Sequence, residues 1–215
     1  YVPIYLVKNN LSPAGIAMDV NKGPLEKAQE HIREEKLGGK IATRLGNGLA
    51  PLEPGETDTV IIAGMGGDLI CKILKAKPEF LIEGKEFILQ PQSEWFKVRR
   101  LLKEYHYQIE KEWFLKEDGK YYVIIKAEPA WTQPQRLKHQ QPSIHEYIKE
   151  ISDTQVNQAV SEKDMESIYE QYGKYLIETK NPVLKEYLEK EITKKESIAA
   201  ELKQSIKEIE SEELS

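Results

Sequence analysis

The stretch Asp58-Thr-Val-Ile-Ile-Ala-Gly-Met-Gly-Gly67 constrains the fold of this chain more than any other. An apolar run, Val60 to Ala63, ends in Gly64, Gly66 and Gly67. A parallel strand buried on both faces reads this way when it runs into a turn that touches a ligand. Glycine lacks a Cβ, so backbone there can approach a flat or charged ligand closely. In open α/β sheets, ligands sit at the carboxyl ends of the strands. A tight strand-to-helix turn without a ligand leaves the same local pattern, so the neighbouring segments must decide.

Those segments alternate. Tyr1 to Asn10 reads as the end of a helix, and Ala14 to Val20 as a short strand that closes on Asp19. Pro24 falls in the first turn of a helix whose apolar face is Leu25, Ala28, Ile32 and Leu37, stopped by Gly38-Gly39. Ile41 to Leu45 is a strand closed by Gly46-Asn47-Gly48, and Pro51 to Glu56 a loop. After Thr59 to Ala63 comes a helix over Asp68 to Lys77, then a strand over Phe87 to Pro91. Ser93 is the expected cap of a helix carrying Trp95, Val98, Leu101 and Leu102. Tyr107 to Leu115 and Tyr121 to Ala127 flank an Asp118-Gly119 turn and form a hairpin. The pattern predicts an α/β fold, a doubly wound sheet with an antiparallel end.

Beyond Glu128 the character changes. Residues 129–160 open with a Pro- and Gln-rich stretch without periodicity, a linker or surface excursion, in which Ser143 to Ile151 could form a short helix. Residues 161–215 read as helical, broken at Asn181-Pro182. Leu184, Leu188, Ile192, Ile198, Leu202, Ile206 and Ile209 fall mostly at four-residue steps, which predicts a helical hairpin with a narrow coiled-coil seam. Residues 1–128 would form the first domain.

The chain has 215 residues, 31% of them charged, and a net charge of −5. No apolar run approaches the roughly 20 residues of a membrane span. Cys71 is the only cysteine, which excludes an internal disulfide and suits a reducing cytoplasm. The mild acidity leaves room for a local basic face. Lys97, Arg99, Arg100 and Lys103 supply one candidate, either a solvated surface or a contact for RNA phosphates. His31, His106, His139 and His145 lack metal-ligand spacing, so no metal site is expected. Trp95 and Trp113 are expected in the core, and Cys71 on a buried helix face.

Three strand ends carry ligand-type residues in chain order. Asp19 can accept both hydroxyls of a ribose. Gly46-Asn47-Gly48-Leu49 can hydrogen-bond an adenine edge, and Gly64-Met65-Gly66-Gly67 can hold the far end of an adenosine-containing cofactor. Each signal alone is weak, because an Asp at a strand end is commonly a turn residue. Their order favours a nucleoside-cofactor site.

Together with Tyr-Val-Pro-Ile-Tyr-Leu-Val at the start, Ile-Ala-Met-Asp-Val-Asn-Lys-Gly-Pro-Leu, Arg-Leu-Gly-Asn-Gly-Leu, Ile-Ile-Ala-Gly-Met-Gly-Gly, Ile-Leu-Gln-Pro and Glu-Asp-Gly-Lys-Tyr-Tyr, the sequence closely resembles the bacterial tRNA (adenine-22-N1)-methyltransferases. The likeness is specific over residues 1–128 and mainly architectural beyond. It implies a Rossmann-like class I methyltransferase domain using S-adenosyl-L-methionine (SAM), with a C-terminal helical hairpin that grips tRNA. By resemblance, Asp19 and Val20 would hold the ribose. Gly46, Asn47, Gly48 and Leu49 would lie by the adenine. Ala63, Gly64 and Met65 would line the methionine end, and Gly64, Met65, Gln90 and Pro91 the reaction site. From the charge of their helix face, and not from the resemblance, Lys97, Arg99 and Arg100 are the candidates to meet nucleic acid.

Two departures stand out. Asn47 replaces the usual Asp, which keeps a carbonyl acceptor and adds donors. The family's Asp-Ile-Gly-Ser-Asp-His-Ala string does not occur, so the sheet is expected without its first strand and the chain reads as truncated and lacking part of its site. The expected product is 1-methyladenosine. Gly64-Met65-Gly66-Gly67 stands where enzymes that methylate the exocyclic amine carry Asn/Asp-Pro-Pro-Tyr, which favours a ring nitrogen. The rivals are a Rossmann methyltransferase with another RNA or small-molecule target, and a non-catalytic RNA-binding protein with a degenerate cofactor site. A cytoplasmic monomer or weak dimer is the expected state.

Overall fold

The computed structural model describes residues 1–130 and 161–213. Helix α1 (Val2–Lys8) leads into strand β1 (Gly15–Asp19), helix α2 (Lys22–Glu34) and strand β2 (Ile41–Leu45). Strand β3 (Thr59–Met65) feeds α3 (Gly67–Lys75) and the short α4 (Pro78–Ile82), and β4 (Glu86–Pro91) feeds α5 (Trp95–Glu104). The hairpin β5 (Tyr107–Glu117) and β6 (Lys120–Pro129) follows, and α6 (Glu162–Tyr172), α7 (Lys174–Glu178) and α8 (Pro182–Glu213) complete the described chain.

β1 and β2 are parallel, with Asp19 opposite Leu45. β3 and β4 are parallel too, with Met65 opposite Pro91 and an irregular step between Ala63 and Met65. β4 then meets β6 antiparallel, giving the order β3-β4-β6-β5 beside the separate pair β1-β2. Asp118 and Gly119 turn the hairpin with φ of 48° and 76°. Two positive φ values match a turn whose twist suits a hairpin, and Asp-Gly is the dipeptide that tolerates them.

The core lies between this sheet and its helices. Phe87 and Leu89 of β4, Val123, Ile125 and Ala127 of β6 and Phe114 of β5 face inward, and Ile70, Leu74, Val98 and Leu102 of α3 and α5 cover them. Phe80 and Leu81 of α4 are fully buried in the same cluster. Each such side chain contributes about 1.5–3 kcal/mol. Ile16 and Met18 of β1 pack against this core, so both sheets share it.

The C-terminal helices join it as well. Leu176 and Leu184 are buried in the same cluster, and the Tyr187 ring lies 5.1–5.8 Å from those of Trp95, Phe114 and Tyr121. Packing therefore does not break at residue 161; α7 and the start of α8 belong to the sheet domain's core. Asn181 caps α8 through Oδ1, which accepts the N–H groups of Val183 and Leu184, both at 3.0 Å. Further along α8, Ile192, Ile198, Leu202, Ile206 and Ile209 are 46–59% exposed, so the expected seam is not buried among the described residues. Trp131, His139, His145 and the Ser143 to Ile151 helix lie outside the described residues.

Local expectations also shift. α2 stops at Glu34, ahead of Gly38-Gly39, because Lys36 takes a left-handed φ of 57°. β3 is buried on one face only, with Val60 and Ile62 inside and Ile61 37% exposed. It ends its sheet among the described residues. Ser93 does not cap α5. Glu94 holds the cap position with φ 46°, and the Ser93 hydroxyl donates to its carboxylate at 2.6 Å.

Candidate active site

Asp19 closes β1. Its Oδ1 accepts the Asn21 N–H at 2.8 Å, an ordinary turn role, and its carbonyl accepts the Gly46 N–H at 3.0 Å. The second bond ties the end of β1 to the turn after β2. That turn is tightly fitted. A Cβ on Gly46 would lie 2.2 Å from Pro51 Cγ, and Gly48, at φ 55°, backs onto Ile73 of α3 with only 2.9 Å for a Cβ. Asn47 stands exposed between them. Leu49 is 3% exposed, so its side chain supports the turn from the core rather than lining a cofactor surface. Val20 is 60% exposed beside Asp19.

Behind this turn sits a clamp. Arg44 donates through both terminal nitrogens to Glu56 at 2.5 Å, and Nη1 also reaches the Pro51 carbonyl at 2.8 Å. Glu56 accepts the Glu53 N–H at 2.8 Å. The guanidinium, helped by that N–H, holds the Glu56 carboxyl down to about 2. A bidentate fork fixes orientation as well as distance, so residues 51–56 are held against Gly46.

The second half of the site is the glycine turn. Gly64 has φ 77°, and a Cβ on it would meet nothing within 4 Å. Its N–H donates to Gln90 Oε1 at 2.7 Å. Two more bonds fasten the neighbouring strand end. Gln92 N–H donates to the Met65 carbonyl at 2.8 Å, and Gly67 N–H to the Ser93 carbonyl at 2.9 Å. Gly67 admits this approach because a Cβ would lie 2.6 Å from the carbonyl oxygens of Ser93 and Glu94. Met65 is 36% exposed at the turn, Ala63 is exposed beside it, and Pro91 is buried as the register partner of Met65.

Gln90 is the informative residue. A backbone N–H can only donate, so its bond to Gly64 fixes which end of the amide is oxygen. Gln90 Nε2 is buried and has no hydrogen-bond partner among the described residues. A buried donor left unpaired costs about 1–3 kcal/mol, which calls for a ligand or a functional role. With the open space over Gly64, this orphan donor suits the strand ends to a polar ligand.

The basic helix face differs from expectation. Arg99 is 4% exposed and ion-paired to Glu112 at 2.8 Å, so it cannot reach a phosphate. Its periodicity carried the signal, since Trp95, Val98, Arg99 and Leu102 form one helical stripe. Lys97 pairs with Asp68 at 2.7 Å, Arg100 with Glu170 at 2.8 Å, and Lys103 with Glu166. Lys97 and Arg100 remain at the surface, with side chains 39% and 61% exposed. No sequence signal pointed to the Arg44–Glu56 clamp or to Glu94 at the mouth of the glycine turn. Among the described residues no group of three or more His, Cys, Asp or Glu could hold a metal, and no helix is long and apolar enough to cross a membrane.

An acid-ended strand in one parallel pair and a glycine turn in another, whose sheet an antiparallel hairpin finishes, fit a Rossmann-like methyltransferase. Comparison with known proteins narrows the class. The family model for tRNA (adenine(22)-N(1))-methyltransferase, TrmK, matches residues 1–215, and the chain belongs to this family. The Bacillus subtilis tRNA (adenine(22)-N(1))-methyltransferase is 32% identical, over 73% of this chain and 78% of that protein. The crystal structure of the Bacillus subtilis enzyme superposes with a TM-score of 0.73 at 28% identity, covering 95% of this chain and 76% of that one. Sp1610 from Streptococcus pneumoniae, solved with S-adenosyl-L-methionine, gives 0.71 at 29% identity, covering 92% and 78%.

Proposed function

We propose that this chain transfers a methyl group from SAM to N1 of an adenine in tRNA, through the site formed by the ends of β1, β2, β3 and β4. The observation that carries the reading is the pairing of the open Gly64 turn with the oriented, unsatisfied amide of Gln90. When bound, the cofactor supplies a methyl group on positively charged sulfur, and adenine N1 takes it with its own lone pair. No general base is needed for that step.

The residues then have definite tasks. Asp19 keeps Oδ2 for the ribose while Oδ1 is held by Asn21, with Val20 beside it. Gly46, Asn47 and Gly48 offer the adenine edge a shape fixed by Pro51, Ile73 and the Arg44–Glu56 clamp, and Leu49 supports them from behind. Ala63, Gly64 and Met65 line the methionine end. Gln90 donates through Nε2 to an acceptor on the target base and holds the ring so that N1 points at the methyl. Pro91 fixes the strand end from which Gln90 projects. Orientation of this kind accounts for much of the rate in such a reaction. The base must leave its stack to enter. Lys97 and Arg100 are the remaining candidates of the basic face for phosphate contacts, each by exchanging its carboxylate partner for RNA. The protein acts in the cytoplasm as a monomer or weak dimer.

Incubation of the purified chain with methyl-labelled SAM and an unmodified tRNA transcript tests this reading. The expected result is label in tRNA and 1-methyladenosine in the nuclease digest by mass spectrometry. Label on another base or on the exocyclic amine would overturn the N1 assignment. Calorimetric titration showing no SAM binding would overturn the cofactor assignment.

A further inference from the structure

The Arg99–Glu112 pair takes no part in the site above, yet it is among the most deeply buried polar features of the chain. Its side chains are 3% and 1% exposed. Arg99 Nε donates to Glu112 Oε1 at 2.8 Å, and Nη1 donates to the carbonyls of Glu170 at 3.0 Å and Gln171 at 2.9 Å. Those carbonyls belong to the last turn of α6, where intrahelical donors run out. The first residue past α6 is Gly173, at φ 90°, where a Cβ would lie 2.3 Å from Glu112 Oε2 and 2.9 Å from Arg99 Nη2. The chain thus passes directly over the pair and turns into α7, which is anchored in the core by Leu176.

Stability alone does not explain this choice. A buried ion pair is commonly no more stable than apolar side chains of equal volume, because desolvation offsets the attraction. Burial pushes the Glu112 carboxyl up despite the adjacent guanidinium. What the pair supplies is direction, since a guanidinium donates to its partners only in its plane. Its position gives that direction a use. The loop preceding α5 is bonded to the glycine turn through Gln92 and Ser93. Arg99, one turn along the same helix, holds the end of α6 at the turn into α7.

We propose that Arg99, Glu112 and Gly173 are positioning residues that fix the bearing of the C-terminal helices to the methyl-transfer site, so that an RNA touching both is held in one register. The proposal rests on the tRNA reading above. Arg99→Lys keeps the charge and loses the fork. Arg99→Met with Glu112→Leu keeps the site buried and removes the N–H groups that donate to the Glu170 and Gln171 carbonyls, which guards against a variant that merely fails to fold.

Steady-state methylation is measured on full-length tRNA and on a short stem-loop carrying the same adenine. Both variants should raise KM for full-length tRNA about ten-fold, leave kcat and SAM affinity within about two-fold, and leave the stem-loop unchanged. Equal losses on both RNAs would reduce the pair to a fold-stabilising role and sink the proposal, as would no loss on either. An RNA-free readout separates this from failure of the tRNA reading. Spin labels at Lys72→Cys and Ser197→Cys, in a Cys71→Ser background, should give a narrow distance distribution that broadens with Arg99→Lys. An unchanged distribution overturns the proposal whatever the RNA does.

Discussion

Replacing Gly64 by alanine separates a ligand-contacting turn from a purely structural one. The added Cβ meets nothing within 4 Å, so there is no packing term. The backbone keeps φ 77°, a left-handed conformation that costs an L-residue about 1–2 kcal/mol. The N–H bond to Gln90 survives, because the substitution leaves the amide in place. For a chain of this size about 1 kcal/mol moves Tm by about 2–4 °C, so a fall of about 2–8 °C is expected. SAM binding should suffer more than that. The Cβ would enter the open volume over the turn, and a loss of at least ten-fold in affinity, about 1.4 kcal/mol, is expected by calorimetry. The control is Gly67→Ala, whose Cβ collides with the carbonyl oxygens of Ser93 and Glu94. There, overpacking of about 1–3 kcal/mol and one broken hydrogen bond of about 1 kcal/mol predict a Tm fall of about 4–16 °C. If Gly64→Ala melts as calculated yet binds SAM with unchanged affinity, the turn does not contact the cofactor and the site reading is wrong.

Other consequences can be checked with the same assays. Gln90→Leu removes an orphan donor and one acceptor together, so stability should move by less than about 1 kcal/mol in a thermal melt, while methyl transfer to tRNA should fall at least about ten-fold in kcat/KM as an oriented donor is lost. Glu56, held to about 2 when folded against an ordinary 4.5, binds fewer protons folded than unfolded. Its contribution is therefore complete above pH 4.5 and is lost as pH falls toward 2, so Tm measured over that window should drop less steeply in Glu56→Gln. Glu186, also held to about 2 by Lys116 and Lys190, keeps part of that slope in the variant. Ser161→Ala, which breaks the capping box with Asp164, should destabilise α6 by about 1 kcal/mol, read by amide exchange in its first turn.

How much of this was legible depended on whether a residue's environment repeats along the chain. The glycine turn, the Asp118-Gly119 hairpin and the Asn181-Pro182 break declare themselves, because special φ values and caps select residue types locally. Contacts between distant segments do not. Nothing near Arg44 points to Glu56, and nothing near Gly173 says that its missing Cβ makes room for an ion pair from α5 and β5. Arg99 lay between these cases. Reading its charge first placed it on a basic face; reading its period first places it with Trp95, Val98 and Leu102 on the buried stripe. Glu112 carried the same warning, being two residues before Phe114 on a strand whose alternate positions face the core. A charge at a core position of a periodic pattern is a stronger signal than its proximity to other charges.

The division of labour along α5 has a geometric reason. Methyl transfer requires alignment of the reacting atoms to within a fraction of an ångström, whereas α8, at 32 residues, is about 48 Å long. Slack of about ten degrees at the base of such a helix would carry its far end through about 8 Å, well beyond hydrogen-bond reach. A hydrophobic contact, which is non-directional, tolerates slack of that order. A planar guanidinium bonded at once to a carboxylate and two helix-end carbonyls does not. Placing that group one turn along the helix whose preceding loop is bonded to the glycine turn refers the α6–α7 junction, from which the chain runs on through α7 into the long helix, and the reaction site to a single rigid element. The desolvation of Arg99 and Glu112 is then the cost of angular precision rather than a contribution to stability.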